Sequence, residues 1–126
     1  MRMLMGAAAA ALLLASGPGS VEAHHSMAMF DQNSEITVTG TVRQFQWSNP
    51  HAYIQLVATS DQGEPVEWSL ELGSPVYLYA RGWRPRTLRP GQEVRVRINP
   101  LRNGRPGGAV LDVTDMDGNA IGSNRR

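Results

Sequence analysis

Residues Glu35 to Val42 alternate one by one, with Ile36, Val38, Gly40 and Val42 on one side and Glu35, Thr37, Thr39 and Thr41 on the other. That is the period of a half-buried strand. Past Arg43 the apolar positions fall at Phe45 and Trp47, so the phase slips by one residue. With Gly40 close by, the slip predicts a bulge or bend in a long first strand. Ser48-Asn49-Pro50 is turn chemistry, and the alternation resumes with Ala52, Ile54, Leu56 and Ala58 in a second strand over His51 to Thr59. After the hairpin signal Ser60-Asp61-Gln62-Gly63, a third strand carries Val66, Trp68, Leu70 and Leu72.

Ser74 and Pro75 then supply an N-cap and a first helical residue, Val76 to Arg81 make about two turns, and Gly82 stops them. The faces of this helix are nearly all apolar, which predicts a plug under a barrel. Val94, Val96 and Ile98 mark a fourth strand, the loop Asn103 to Gly108 is glycine-rich, and Ala109, Leu111 and Val113 mark a fifth. Three strands, a helix and two strands, with a bent first strand serving both halves, is the element order of an all-β, five-stranded OB-like barrel. A small sandwich is the alternative, because periodicity does not reveal how a sheet closes. The barrel domain spans 35–118, between an N-terminal tail over 24–34 and a polar C-terminal tail over 119–126 expected to fray.

Residues 1–23 read as a signal peptide. Arg2 is followed by an uncharged apolar run from Met3 to Ala15, too short for the roughly 20 residues of a membrane span, and Val21-Glu22-Ala23 suits a cleavage site. The mature chain then begins at His24, is periplasmic or secreted, and holds no stable membrane span. Its lack of Cys removes disulfides, thiolate metal sites and Cys nucleophiles. A net charge of +1 argues against a general polyanion binder.

The segments Ala23-His24-His25-Ser26, Gly40-Thr41-Val42, Trp47-Ser48-Asn49-Pro50-His51, Gly73-Ser74-Pro75, Arg81-Gly82-Trp83 and Pro90-Gly91-Gln92-Glu93-Val94 together resemble a domain-of-unknown-function family of small exported bacterial proteins. Gln92 stands where that family's pattern has Asp, a change confined to a surface turn. The resemblance implies export and a single domain, and no mechanism.

Three histidines carry the most chemical information, and two of them, His24 and His25, follow the predicted cut. A terminal His chelates through its amine and ring Nδ1, and an amine pKa near ~8 lets a metal displace that proton at neutral pH. Copper and zinc both accept such nitrogens. Another ligand must come from the barrel, where His51 is the remaining imidazole. If the Ser48-Asn49-Pro50 turn pairs Trp47 with His51, Phe45 pairs with Tyr53, and the next hairpin places Glu71 opposite Tyr53 or His51. Phe45, Trp47, His51, Tyr53 and Glu71 then share one aromatic face beside the loop where OB barrels bind ligands. Glu71 is either an oxygen donor or a support for His51. The ten residues between His25 and Ile36 can stretch about 33 Å, so the terminus can reach this face by folding back. Met27 and Met29 are either copper(I) thioether ligands or packing residues.

Charge is segregated as well. Arg81, Arg84, Arg86, Arg89, Arg95, Arg97, Arg102 and Arg105 fall in a stretch whose one acid is Glu93, while Asp61, Glu64, Glu67 and Glu71 form the opposing cluster. Such a strip suits an anionic small molecule or an acidic protein partner, and export argues against nucleic acid. Catalysis has little to stand on, since Ser26, Ser48, Ser69 and Ser74 lack a nucleophile-elbow context and no carboxylate pair has motif spacing. The leading expectation is an exported copper- or zinc-binding barrel using His24, His25, His51 and Glu71. The alternative is a non-catalytic ligand or protein interaction module using Phe45, Trp47, Asn49, Tyr53, Arg95 and Arg97.

Overall fold

The computed structural model describes residues 27–122. The predicted leader, His24, His25 and the last four residues lie outside them. The first strand, β1 (Ile36–Gln46), is long enough to serve two neighbours. Its first half pairs with β4 (Glu93–Pro100), from Ile36 opposite Ile98 to Thr41 opposite Glu93. Its second half pairs with β2 (Tyr53–Thr59), from Thr41 opposite Val57 to Gln46 opposite Tyr53. The expected phase slip is a bulge at Arg43, because Val42 faces Leu56 and Gln44 already faces Gln55. Gly40 lets the strand turn there: a Cβ at that position would run into the Val57 carbonyl.

β3 (Pro65–Glu71) follows β2 by a hairpin and pairs with it along its whole length. β5 (Gly107–Thr114) pairs antiparallel with β4 and parallel with β3, closing the barrel in the order β1-β2-β3-β5-β4. With one short helix between β3 and β4, the fold is the all-β, five-stranded OB-like barrel. Val42, Ile54, Leu56, Leu70, Val94, Val96, Ile98 and Val113 fill its interior. Each fully buried aliphatic side chain of this kind stabilises the fold by about 1.5–3 kcal/mol.

The helix α1 (Pro75–Ala80) starts as expected, with the Ser74 hydroxyl accepting from the Tyr77 amide at 3.4 Å. Its role as a plug needs correction. Only Leu78 is buried, whereas Val76 is 79% and Tyr79 59% exposed. Six residues make fewer than two turns, so a single side chain can point into the barrel. Trp83, which follows and is fully buried, completes the closure.

Both flanks of the barrel are pinned. Phe30 is buried and bridges Leu101, the Asp31 amide donates to the Pro100 carbonyl at 2.8 Å, and the Arg102 amide donates to the Met29 carbonyl at 2.9 Å. At the other end the expected fraying does not begin at Asn119. Ala120 bridges Thr114, the Ile121 amide donates to the Val113 carbonyl at 2.9 Å, and Gly122 lies so close on the Trp83 ring that a Cβ would overlap it. An apolar residue, Ile121, packs there against the core and outweighs the polarity of its neighbours.

Candidate functional site

The parallel ladder between β3 and β5 is only three residues long and ends at Glu71 opposite Ala109. Past that end lies a groove of about 500 Å3, walled by Glu71, Leu72 and Tyr77 on one side and by Ala109 and Val110 on another. His51, just ahead of β2, lines it as well, as do Met27, Glu35 and Arg97.

His51 is held from two sides. Its Nδ1 lies 3.2 Å from the Leu72 carbonyl oxygen and 3.4 Å from Glu71 Oε1. A carbonyl only accepts, so in the neutral ring that contact places the proton on Nδ1 and leaves the lone pair on Nε2. Local backbone bonds hold the turn: Ser48 Oγ donates to the His51 carbonyl at 2.8 Å, the Ala52 amide donates to the Gly73 carbonyl at 3.0 Å, and the Leu72 amide donates to the Ala52 carbonyl at 2.9 Å. Glu71 is the more enclosed partner, its side chain 15% exposed against 37% for His51. Burial pushes the Glu71 carboxyl above its usual range, with the nearby imidazole pulling the other way. Tyr53 stands directly opposite Glu71, and burial, helped by that carboxylate, raises its phenol. This arrangement can present one neutral imidazole nitrogen, backed by a carboxylate, to a metal or a polar ligand.

The expected aromatic face divides in two. His51, Tyr53 and Glu71 share the outer side, but Phe45 stands opposite Ile54, where the Arg43 bulge shifts it, and not opposite Tyr53. Phe45 and Trp47 are consequently half-buried against the core. The Phe45 ring lies 5.8 Å from that of Trp47 and 5.8 Å from that of Trp83. Trp47 does not pair with His51 either, since the ladder stops at Gln46 and Tyr53. Asn49 is exposed in the turn. A second, shallower pocket of about 350 Å3 brings the exposed edge of Phe45 beside Arg86 and Arg89, a pairing that strand alternation does not reveal.

The arginines divide too. Arg97 is neutralised by Asp112 at 2.8 Å and Glu35 at 2.6 Å, which hold its guanidinium protonated. It therefore adds no open charge to a strip. Its partners are not the acidic cluster of the sequence; of that cluster, Glu67 pairs with Arg43 at 2.7 Å. Arg95 donates to the Met116 carbonyl at 3.0 Å. Arg102 donates to the Ala28 carbonyl at 3.1 Å and so helps hold the N-terminal segment. Met27 and Met29 are both half-exposed.

No three His, Asp or Glu side chains converge as a ready metal cage among the described residues. His51 with its Glu71 support is the part of the expected ligand set that they contain, and His24 and His25 lie outside them. No helix among them is long and apolar enough to cross a membrane.

A model for a family of unknown function matches residues 10–110 of the chain. No curated protein sequence matches it. Among solved structures it is similar to the mitochondrial single-stranded DNA binding protein Rim1 of S. cerevisiae, with 11% identity, a TM-score of 0.47, and coverage of 66% of this chain and 94% of that one.

Proposed function

The chain belongs to DUF6152, a family of unknown function, and because that membership names no activity we propose, from its own residues, that it is a small exported barrel protein that binds copper or zinc through the mature N-terminal His24 and His51. The observation that supports this reading is the groove itself. Leu72 and Glu71 hold His51 Nδ1, which leaves Nε2 of the neutral ring without a proton, and Met27, three residues after His24, lines the same groove. Three residue steps of extended chain span about 10 Å, so His24 can lie no farther than that from Met27 at the rim of the groove.

In this reading the His24 amine and imidazole supply two nitrogens, His51 Nε2 a third, and His25 an optional fourth. Glu71 acts on Nδ1, where a carboxylate orients the ring and raises its basicity, the common support of a metal-bound imidazole. Copper would supply a tetragonal site and zinc a tetrahedral one. The role is binding, not turnover.

Calorimetric titration with copper(II) and zinc(II) of protein that begins at His24 tests the proposal. His51→Ala should weaken binding by roughly 10-fold or more, and one extra residue ahead of His24 should remove the amine chelate. Unchanged affinity in both variants refutes the site. If His51→Ala instead only lowers metal-free stability, the interaction-module reading takes precedence.

A further inference from the structure

From Leu72 to Gln92 the chain contains four arginines and no acid. The same stretch carries α1, whose Val76, Tyr77 and Tyr79 are 79%, 45% and 59% exposed. Two of the arginines sit over these rings, Arg81 Cζ at 3.4 Å from the Tyr77 centroid and Arg84 Cζ at 3.6 Å from that of Tyr79. Each is also tied to backbone: Arg81 donates to the Tyr77 carbonyl at 3.3 Å, and Arg84 to the carbonyls of Tyr79 and Trp83 at 3.0 and 2.7 Å. Arg86 and Arg89 follow in the loop, and none of the four is paired with a carboxylate among the described residues.

We infer that α1 and the loop after it form a docking face for an anionic lipid surface, with Val76 and Tyr79 entering the headgroup layer and Arg81, Arg84, Arg86 and Arg89 facing phosphates. Tyrosines and arginines divide between the apolar and wet sides of such an interface: the rings and aliphatic stems sit inward and the charges stay hydrated. The guanidiniums of Arg81 and Arg84 already spend donors on the chain's own carbonyls. What they offer outward is positive charge more than a free fork, and a fluid anionic surface asks for charge without a fixed donor pattern. A partner protein would read such a pattern. Tyr77 borders the groove of His51 and Glu71, but Val76, Tyr79 and the four arginines lie outside its lining, so the inference does not depend on the metal proposal.

Co-sedimentation of the mature chain, with chelator present, tests it. The protein should pellet with vesicles of phosphatidylglycerol in phosphatidylcholine, stay in solution with phosphatidylcholine alone, and lose binding as salt is raised. At about fivefold per charge, the triple variant R84Q/R86Q/R89Q should bind on the order of a hundredfold more weakly. Val76→Asp, which keeps every arginine and alters a side chain already in solvent, should weaken binding on the order of tenfold. Unchanged melting temperatures separate these losses from unfolding. Equal pelleting with neutral vesicles, or full binding by the triple variant, overturns the inference. So does displacement from vesicles by soluble glycerol phosphate, which assigns the charges to a free phosphate ligand, or capture by poly-glutamate without vesicle binding, which assigns them to an acidic protein.

Discussion

Phe45 and Tyr53 lie on neighbouring strands and were expected on one face, yet they end up in opposite surroundings. Phe45 belongs to an aromatic cap with Trp47 and Trp83, drawn over the end of the barrel and closed by Gly122. Tyr53 belongs to a polar edge with Glu71 and His51, half-open to a groove. One inserted residue, Arg43, separates the two outcomes by turning each later side chain of β1 to the other side. The cap spends its aromatic surface on stability, and the edge keeps polar groups within reach of solvent. A bulge is thus what divides a structural region from one able to bind.

The largest break in that comparison should come from the cap. Trp83→Ala removes a fully buried side chain and should lower unfolding free energy by about 3–5 kcal/mol in urea titration, while His51 and Glu71 stay in place. Gly40→Val should follow at about 1–3 kcal/mol, because the new side chain meets the Val57 backbone where the strand turns. A much smaller effect there would mean that the turn of β1 does not depend on this close approach.

The polar edge should respond far less. His51→Ala loses a half-exposed ring and its contact to the Leu72 carbonyl, so metal-free stability should fall by only about 0.5–1.5 kcal/mol. Arg97→Gln should change stability by about 1 kcal/mol or less, since its ion pairs to Asp112 and Glu35 are open to water. The smallest and most specific effect is in pH. Glu71 has a folded-state pKa above its unfolded value, so its protonated form favours folding. That contribution is complete below the ordinary carboxyl range and is lost as pH rises through the raised value. Glu71→Gln should therefore flatten the fall in stability between acid and neutral pH, measured by denaturation across that window. A wild-type profile that rises steadily there, with no difference in the variant, would mean that burial does not govern this carboxyl.

Much of this molecule was legible in local pattern. The alternation of Ile36 to Val42, Ala52 to Ala58 and Val94 to Ile98 marks the strands, and the slip between Val42 and Phe45 marks the bulge, because the pleat has a strict period of two. Ser74-Pro75 and Gly82 mark the helix, because capping is decided by neighbours in the chain. The closeness of Glu71 to His51 could be read as well, since the hairpin after β2 limits the register. What the chain could not show by itself is long-range. Periodicity marks the bulge at Arg43 but not which partner each later residue meets, so simple alternation pairs Phe45 with Tyr53 where the sheet pairs it with Ile54. The apolar helix looked buried, but how much of it the barrel covers depends on the width of the opening, which Leu78 and Trp83 fill without Val76, Tyr77 or Tyr79. Arg97 looked like part of an open basic strip until β5 and the residue before β1 brought Asp112 and Glu35 to it. Strand period and caps are properties of neighbouring residues, whereas closure, coverage and charge pairing join residues far apart in the chain, and only the packed barrel decides them.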